Sequence, residues 1–149
     1  MKQRSVQLEE LFKLQKEFND RVTRGGVDQF LNGNVSLQER NKWLLRNARA
    51  MIHEIIEVEN ECLWKWWTKD KDIDLKHIQV EIIDLWHFLL SLTMVSGMDA
   101  KQMFQLYKKK LALNHKRLDG GYSKKNKQKF NDNQHECVYL FVLFFSHNP

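Results

Sequence analysis

The chain has 149 residues, is 42% hydrophobic and 29% charged, and carries a formal net charge of +5 with two cysteines. That balance suits one soluble globular domain with a real core. No run approaches 18 consecutive apolar residues and the N-terminal "MKQRSVQLEELFK" has no apolar signal core, which argues against a membrane helix and against secretion. Cys62 and Cys137 make no CxxC and no ligand spacing, as expected of reduced thiols in a cytoplasmic protein.

The only proline is the last residue, Pro149, and glycines are few, so long helices are expected. Leu8, Leu11, Phe12, Leu14 and Phe18 predict a first helix from about Gln3 to Arg21. Gly25, Gly26, Gly33 and the asparagines around them predict a loop. "SLQE" then reads as a capping box, Ser36 with Glu39, opening a helix that can run to about Trp67, where "TKDKDID" breaks it. A third helix spans roughly Leu75 to Ser96 and stops at Gly97. Asp99 caps a fourth, which ends near Arg117, before Gly120 and Gly121. The expectation is an all-α, four-helix-bundle-like domain over residues 1–123. Residues 124–149 form a tail, polar in "SKKNKQKFNDNQHE" and apolar in "CVYLFVLFF", that suits an edge strand, a strap on the bundle or on a dimer partner, or an irregular end.

Chemistry concentrates on two of these helices. Glu54, Glu57 and Glu61 share one face of the second, because positions three or four apart lie within about 60°. Glu81, Asp84 and His87 make a similar stripe on the third, within a run from Ile78 to Val95 so apolar that burial is expected. Ile55, Ile56, Val58, Cys62 and Leu63 predict burial around the first acids too. A short connection makes the two helices antiparallel neighbours, so the stripes can meet. Four converging carboxylates repel unless a hard cation joins them, and Mg²⁺, with its preference for oxygen, fits. "HEIIE" is not HExxH, and Asp84-x-x-His87 is one pair where a di-iron bundle needs two, so zinc and iron fit poorly.

The positive charge sits elsewhere. Residues 100–130 hold ten Lys or Arg against one acid, Asp119. Lys110, Asn114 and Arg117 form one stripe near the end of the fourth helix, and Tyr122 follows the double glycine. Such a stripe can bind a di- or triphosphate; alone, it also fits a solvated helix C-terminus. The aromatics are not interleaved with the basic residues, so nucleic-acid binding is not expected, though a helical nucleic-acid-binding module is the non-enzymatic alternative.

In order, ExxE, "WKWW", "EIIDLWHF", "NHKR" and "GY", with "LQKEFND" on the first helix, resemble the dimeric all-α dUTP diphosphatases (dUTPases) within the MazG-related nucleotide pyrophosphohydrolases. The resemblance implies hydrolysis of dUTP to dUMP and pyrophosphate, with dUDP as a further substrate, by a homodimer using water activated by two or three Mg²⁺ ions per site. It implies Glu54, Glu57, Glu81 and Asp84 as metal ligands, with Glu54 or Glu57 accepting the proton. It implies Lys110, Arg117 and Tyr122 on the phosphates and Asn114 near the nucleotide. Gln15 and Asn19 would read the uracil edge, Trp64 or Phe88 would cover the base, and His87 would contact base or sugar. For Trp64, Phe88 and His87, plain core packing is the competing reading. Leu118 stands where the family usually has Gln. A relative cleaving dCTP or a modified or non-selective NTP is the enzymatic alternative.

Overall fold

The structure is a computed structural model that describes residues 2–23, 26–62, 67 and 72–119. Among the described residues the chain folds into helices alone: α1 (Lys2–Thr23), α2 (Val27–Leu31), α3 (Leu37–Glu61), α4 (Leu75–Val95) and α5 (Ala100–Asp119). The all-α expectation holds. The chain divides into two compact units, Met1–Leu106 and Tyr107–Pro149. The first holds α1 to α4 and the opening turns of α5; the tail from residue 124 and Tyr122 lie outside the described residues.

Helix ends follow local chemistry. Ser36 caps α3 by accepting from the Glu39 amide at 3.1 Å. The reciprocal arm of the box is not made, because Glu39 Oε1 accepts instead from Trp43 Nε1 at 3.0 Å. Asp99 and Gln102 complete a reciprocal cap on α5, with Gln102 N donating to Asp99 Oδ1 at 2.7 Å and Asp99 N to Gln102 Oε1 at 3.0 Å. Asp74 caps α4 through the amides of Lys76 and His77. α4 ends in a Schellman turn: Gly97 N reaches Met94 O at 2.9 Å and Met98 N reaches Thr93 O at 3.2 Å, with Gly97 at φ +94. α3 stops at Glu61, earlier than the expected Trp67, with Cys62 extended and its amide on Glu59 O.

The expected loop between the first two long helices contains a helix, α2. Its first amide, Val27 N, donates to Asp20 Oδ1 at 3.1 Å, and Lys16 bridges Asp20 and Asp28 at 2.6 and 3.1 Å. Val27 and Phe30, three apart, share a face and are buried. Five residues carry too little periodicity to stand out among glycines and asparagines. α2 joins Phe12, Leu90, Met94 and Ala100 in the core, with Leu8, Leu31 and Met103 against it.

Arg40 of α3 locks this end of the molecule. Its Nη2 donates to Phe30 O at 2.9 Å, its Nη1 donates to Val95 O, and its guanidinium lies 5.8 Å from the Phe30 ring centre. Arg40→Met would keep most of the apolar stem and leave two carbonyls of buried residues without their charged donor. The expected loss is about 3 kcal/mol of stability, read from urea unfolding.

Two burial expectations fail. α3 has no fully buried residue, with Ile55 and Ile56 exposed, and on α4 only Glu81, Leu90, Ser91, Met94 and Val95 are buried. Val80, Ile83 and Trp86, spaced three apart along one stripe of α4, are about half exposed at 56%, 55% and 48%. The physical reason is coverage: α3 and α4 pair with each other more extensively than any other elements, and the short α2 and one face of α1 cannot sheathe the remaining surfaces. By length and composition alone α4 is apolar enough to cross a bilayer. It nevertheless carries Glu81 and Asp84, which such a span would have to desolvate.

Candidate active site

Reading α4 from its start gives three successive layers. Glu81 and Asp84 come first, His87 and Ser91 next, and Met94 and Val95 in the core last. At 1.5 Å per residue, Glu81 and Ser91 are about 15 Å apart along the axis.

The first layer joins α3 to α4. Carboxylate oxygens of Glu54, Glu57 and Glu81 all lie within 4.8 Å of one another. Glu81 is buried, Glu54 half-buried and Glu57 exposed. Asp84 stands outside this tight trio but close enough to act electrostatically on both Glu54 and Glu81. His77, one turn before Glu81, places Nε2 at 3.3 Å from Glu81 Oε1 and Nδ1 at 3.7 Å from Glu61 Oε1. Glu61 therefore faces His77, Glu57 faces Glu81, and Glu54 senses Asp84: as one number falls the other rises, which is the antiparallel register expected.

The electrostatics are those of crowded acids. Burial, then the charges of Glu57, Asp84 and Glu81, push the Glu54 carboxyl above its ordinary range, against a smaller pull from His53. Burial, then Glu57, push Glu81 up as well; His77 opposes, and a hydrogen bond with Glu57 and the charge of Asp84 add to the rise. Both groups hold protons more tightly folded than unfolded. Their contribution to stability is thus fully present below the ordinary value of 4.5 and is lost as pH rises through the raised folded values. In chelator, the stability of wild type minus that of Glu81→Gln should therefore fall as pH rises through that window. Thermal melts of both proteins across pH read it directly, and a flat difference would contradict the crowding. The donor set, all carboxylate oxygens, suits a hard divalent cation such as Mg²⁺.

The second layer joins α1 to α4. Gln15 Nε2 donates to Asn19 Oδ1 at 3.0 Å and to Ser91 Oγ at 3.1 Å, and Asn19 Nδ2 donates to Ser91 Oγ at 2.9 Å. Ser91 Oγ donates to His87 O at 2.8 Å, and His87 Nδ1 lies 2.6 Å from Gln15 Oε1. Gln15 and Ser91 are buried, whereas the His87 side of the layer is exposed. The three sequence-predicted residues Gln15, Asn19 and His87 are thus brought together, through a serine that was not predicted.

Phe88 is half-buried on α4, and Trp64 lies outside the described residues. Lys110, Asn114 and Arg117 lie on α5 in the second unit at the helical spacing expected, the two cations half-buried and Asn114 exposed. Sequence reading missed His77 and Ser91. Each had a signal: His77 is four residues before Glu81, and Ser91 is four after His87 among Phe88, Leu89, Leu90 and Leu92, where a hydroxyl needs partners.

A family model described as dUTPase matches residues 7–103, a span that takes in both layers. The dCTP pyrophosphatase of Enterobacteria phage T4 is 33% identical over 78 residues, covering 44% of this chain and 46% of that protein. The chain thus spans about half the length of the curated relative it matches. No solved structure matches it.

Proposed function

The chain belongs to the all-α dUTPase family, and from that premise we propose that it is a Mg²⁺-dependent nucleotide pyrophosphohydrolase that cleaves dUTP to dUMP and pyrophosphate. The observation that carries this reading is the trio Glu54, Glu57 and Glu81, with oxygens within 4.8 Å and two of the three held above their ordinary pKa range. Like charges are held that close at a cost in stability, which a function requiring the cluster explains.

Glu54, Glu57, Glu81 and Asp84 would hold two or three Mg²⁺ ions. Bound there, Mg²⁺ would offset the acids' repulsion, neutralise the substrate's phosphates and make a water easier to deprotonate. The chain's own part is positioning and proton transfer. Glu81, buried between helices, is the fixed member of the cluster. Glu54 or Glu57, beside it in the same cluster, would take the proton from the attacking water. The layer of Gln15, Asn19 and His87, which begins one turn beyond Asp84, would read the base.

The catalytic form would be a homodimer. Leu11, Leu14, Phe18 and Val22 on α1, Ile52, Ile55 and Ile56 on α3, and Val80, Ile83 and Trp86 on α4 are exposed in the single chain, and a second copy would cover them.

Pyrophosphate release from a panel of dNTPs and NTPs, with Mg²⁺ and with EDTA, tests the reading. Selective hydrolysis of dUTP that stops in EDTA is the expected result. The name of the T4 relative favours a second reading, in which dCTP is the preferred substrate. Preference for dCTP would establish it, and hydrolysis of no nucleotide would overturn both.

A further inference from the structure

The polar layer has a direction, and one residue sets it. A serine hydroxyl has one proton to give and two lone pairs to receive with. Ser91 Oγ gives its proton to His87 O at 2.8 Å, with Asn19 Oδ1 at 3.2 Å the other acceptor in reach. In either case Gln15 Nε2, 3.1 Å from Oγ, must be the donor. The Gln15 amide is then fixed with its nitrogen toward Ser91 and Asn19 and its oxygen toward His87. Gln15 Oε1, 2.6 Å from His87 Nδ1, can only accept there, so the proton of the neutral imidazole sits on Nδ1. His87 Nε2 is left with a lone pair, and among the described residues it makes no hydrogen bond.

From this we infer that Ser91 is a positioning residue for base selection: through Gln15 it holds His87 in the Nδ1–H form, so that Nε2 meets the base as an acceptor. Such an acceptor favours a pyrimidine whose ring N3 carries a proton, as in uracil. Cytosine N3 has a lone pair, and two lone pairs facing one another repel. The inference rests on the chain acting on nucleotides, but its first step, control of the tautomer, does not.

Three substitutions separate hydroxyl from shape. Ser91→Thr keeps the hydroxyl; Ser91→Val has nearly the shape of threonine without it; Ser91→Ala removes it with no added bulk. The first measurement is ¹⁵N NMR of the His87 imidazole in the whole chain, without nucleotide, at a pH where the ring is neutral. Wild type and Ser91→Thr should show the Nδ1–H form, and the Val and Ala variants a mixture of both tautomers. The second is kcat/KM for dUTP and for dCTP. The dUTP-to-dCTP ratio should fall about tenfold in the Val and Ala variants, one hydrogen bond's worth. Most of that change should lie in KM, and Ser91→Thr should keep the wild-type ratio.

An unchanged tautomer in both variants lacking the hydroxyl would overturn the inference at its first step. A shifted tautomer with an unchanged ratio would overturn it at the second. Wild type that cleaves neither nucleotide would overturn the proposed function and base selection with it, while the NMR result would still decide whether Ser91 orients His87.

Discussion

Glu81→Gln is expected to lower kcat for pyrophosphate release by about 10³-fold or more while leaving the helices intact. Glutamine has nearly the same shape and fills the same space between α3 and α4, so the pairing of the helices is kept. What is lost is one negative charge from the buried corner of the trio, whose oxygens lie within 4.8 Å of one another. Charge stabilisation of a transferring phosphoryl group by a metal cluster amounts to several kcal/mol, and each 1.4 kcal/mol is about tenfold in rate. The same change removes the burial of a charge and the repulsion from Glu57 and Asp84, which in that order push the Glu81 carboxyl up. In chelator at neutral pH the variant should therefore melt no lower than wild type. Mg²⁺ should raise the melting temperature of wild type and leave the variant's nearly unmoved. Glu59→Gln, an exposed acid of α3 outside the trio, is the control and should behave as wild type in both assays. Activity within tenfold of wild type in Glu81→Gln would remove Glu81 from the chemistry.

The second large effect concerns assembly. Wild type should sediment as a dimer at micromolar concentration, and Ile83→Asp should raise the dimer dissociation constant at least about 100-fold. Ile83 lies on the side of α4 turned away from Glu81 and is exposed in the single chain, between Val80 and Trp86 on the same stripe. An aspartate there is solvated in the monomer and buried without a partner in a dimer that covers the stripe. That costs several kcal/mol, and each 1.4 kcal/mol is tenfold in affinity. The acid cluster is untouched by the change, so the metal-induced rise in melting temperature should survive in the variant. A variant that remains a tight dimer would place the interface elsewhere. A monomeric wild type would leave the exposed stripe without the proposed cover.

Much of the site was legible because it obeys a period. Glu54 and Glu57, and Glu81 and Asp84, are three apart, and helical geometry alone puts each pair on one face. The caps at Ser36 and Asp99 were legible for the same local reason. What sequence concealed was set by tertiary neighbours. Val27 and Phe30 look like loop residues until Asp20 and Lys16 supply the partners that start α2. The apolar run of α4 predicted burial, yet composition cannot say how much surface the rest of one chain is able to cover. Ser91 showed in the sequence only as a hydroxyl among leucines, because its meaning lies in three partners, two of them more than 70 residues away on α1.

The register of α3 on α4 has a consequence for how the gene can drift. Three facing pairs, Glu61 with His77, Glu57 with Glu81 and Glu54 with Asp84, depend on both helices keeping phase. Removing one residue between Glu54 and Glu57 would turn one acid about 100° away from the other, taking it off the shared face. Swapping Ile55 for another aliphatic residue changes no phase at all. The acid-bearing segments should therefore accept exchanges of letters far more readily than a change in their number, and a frame of fixed spacing should outlast the identity of the residues that fill it.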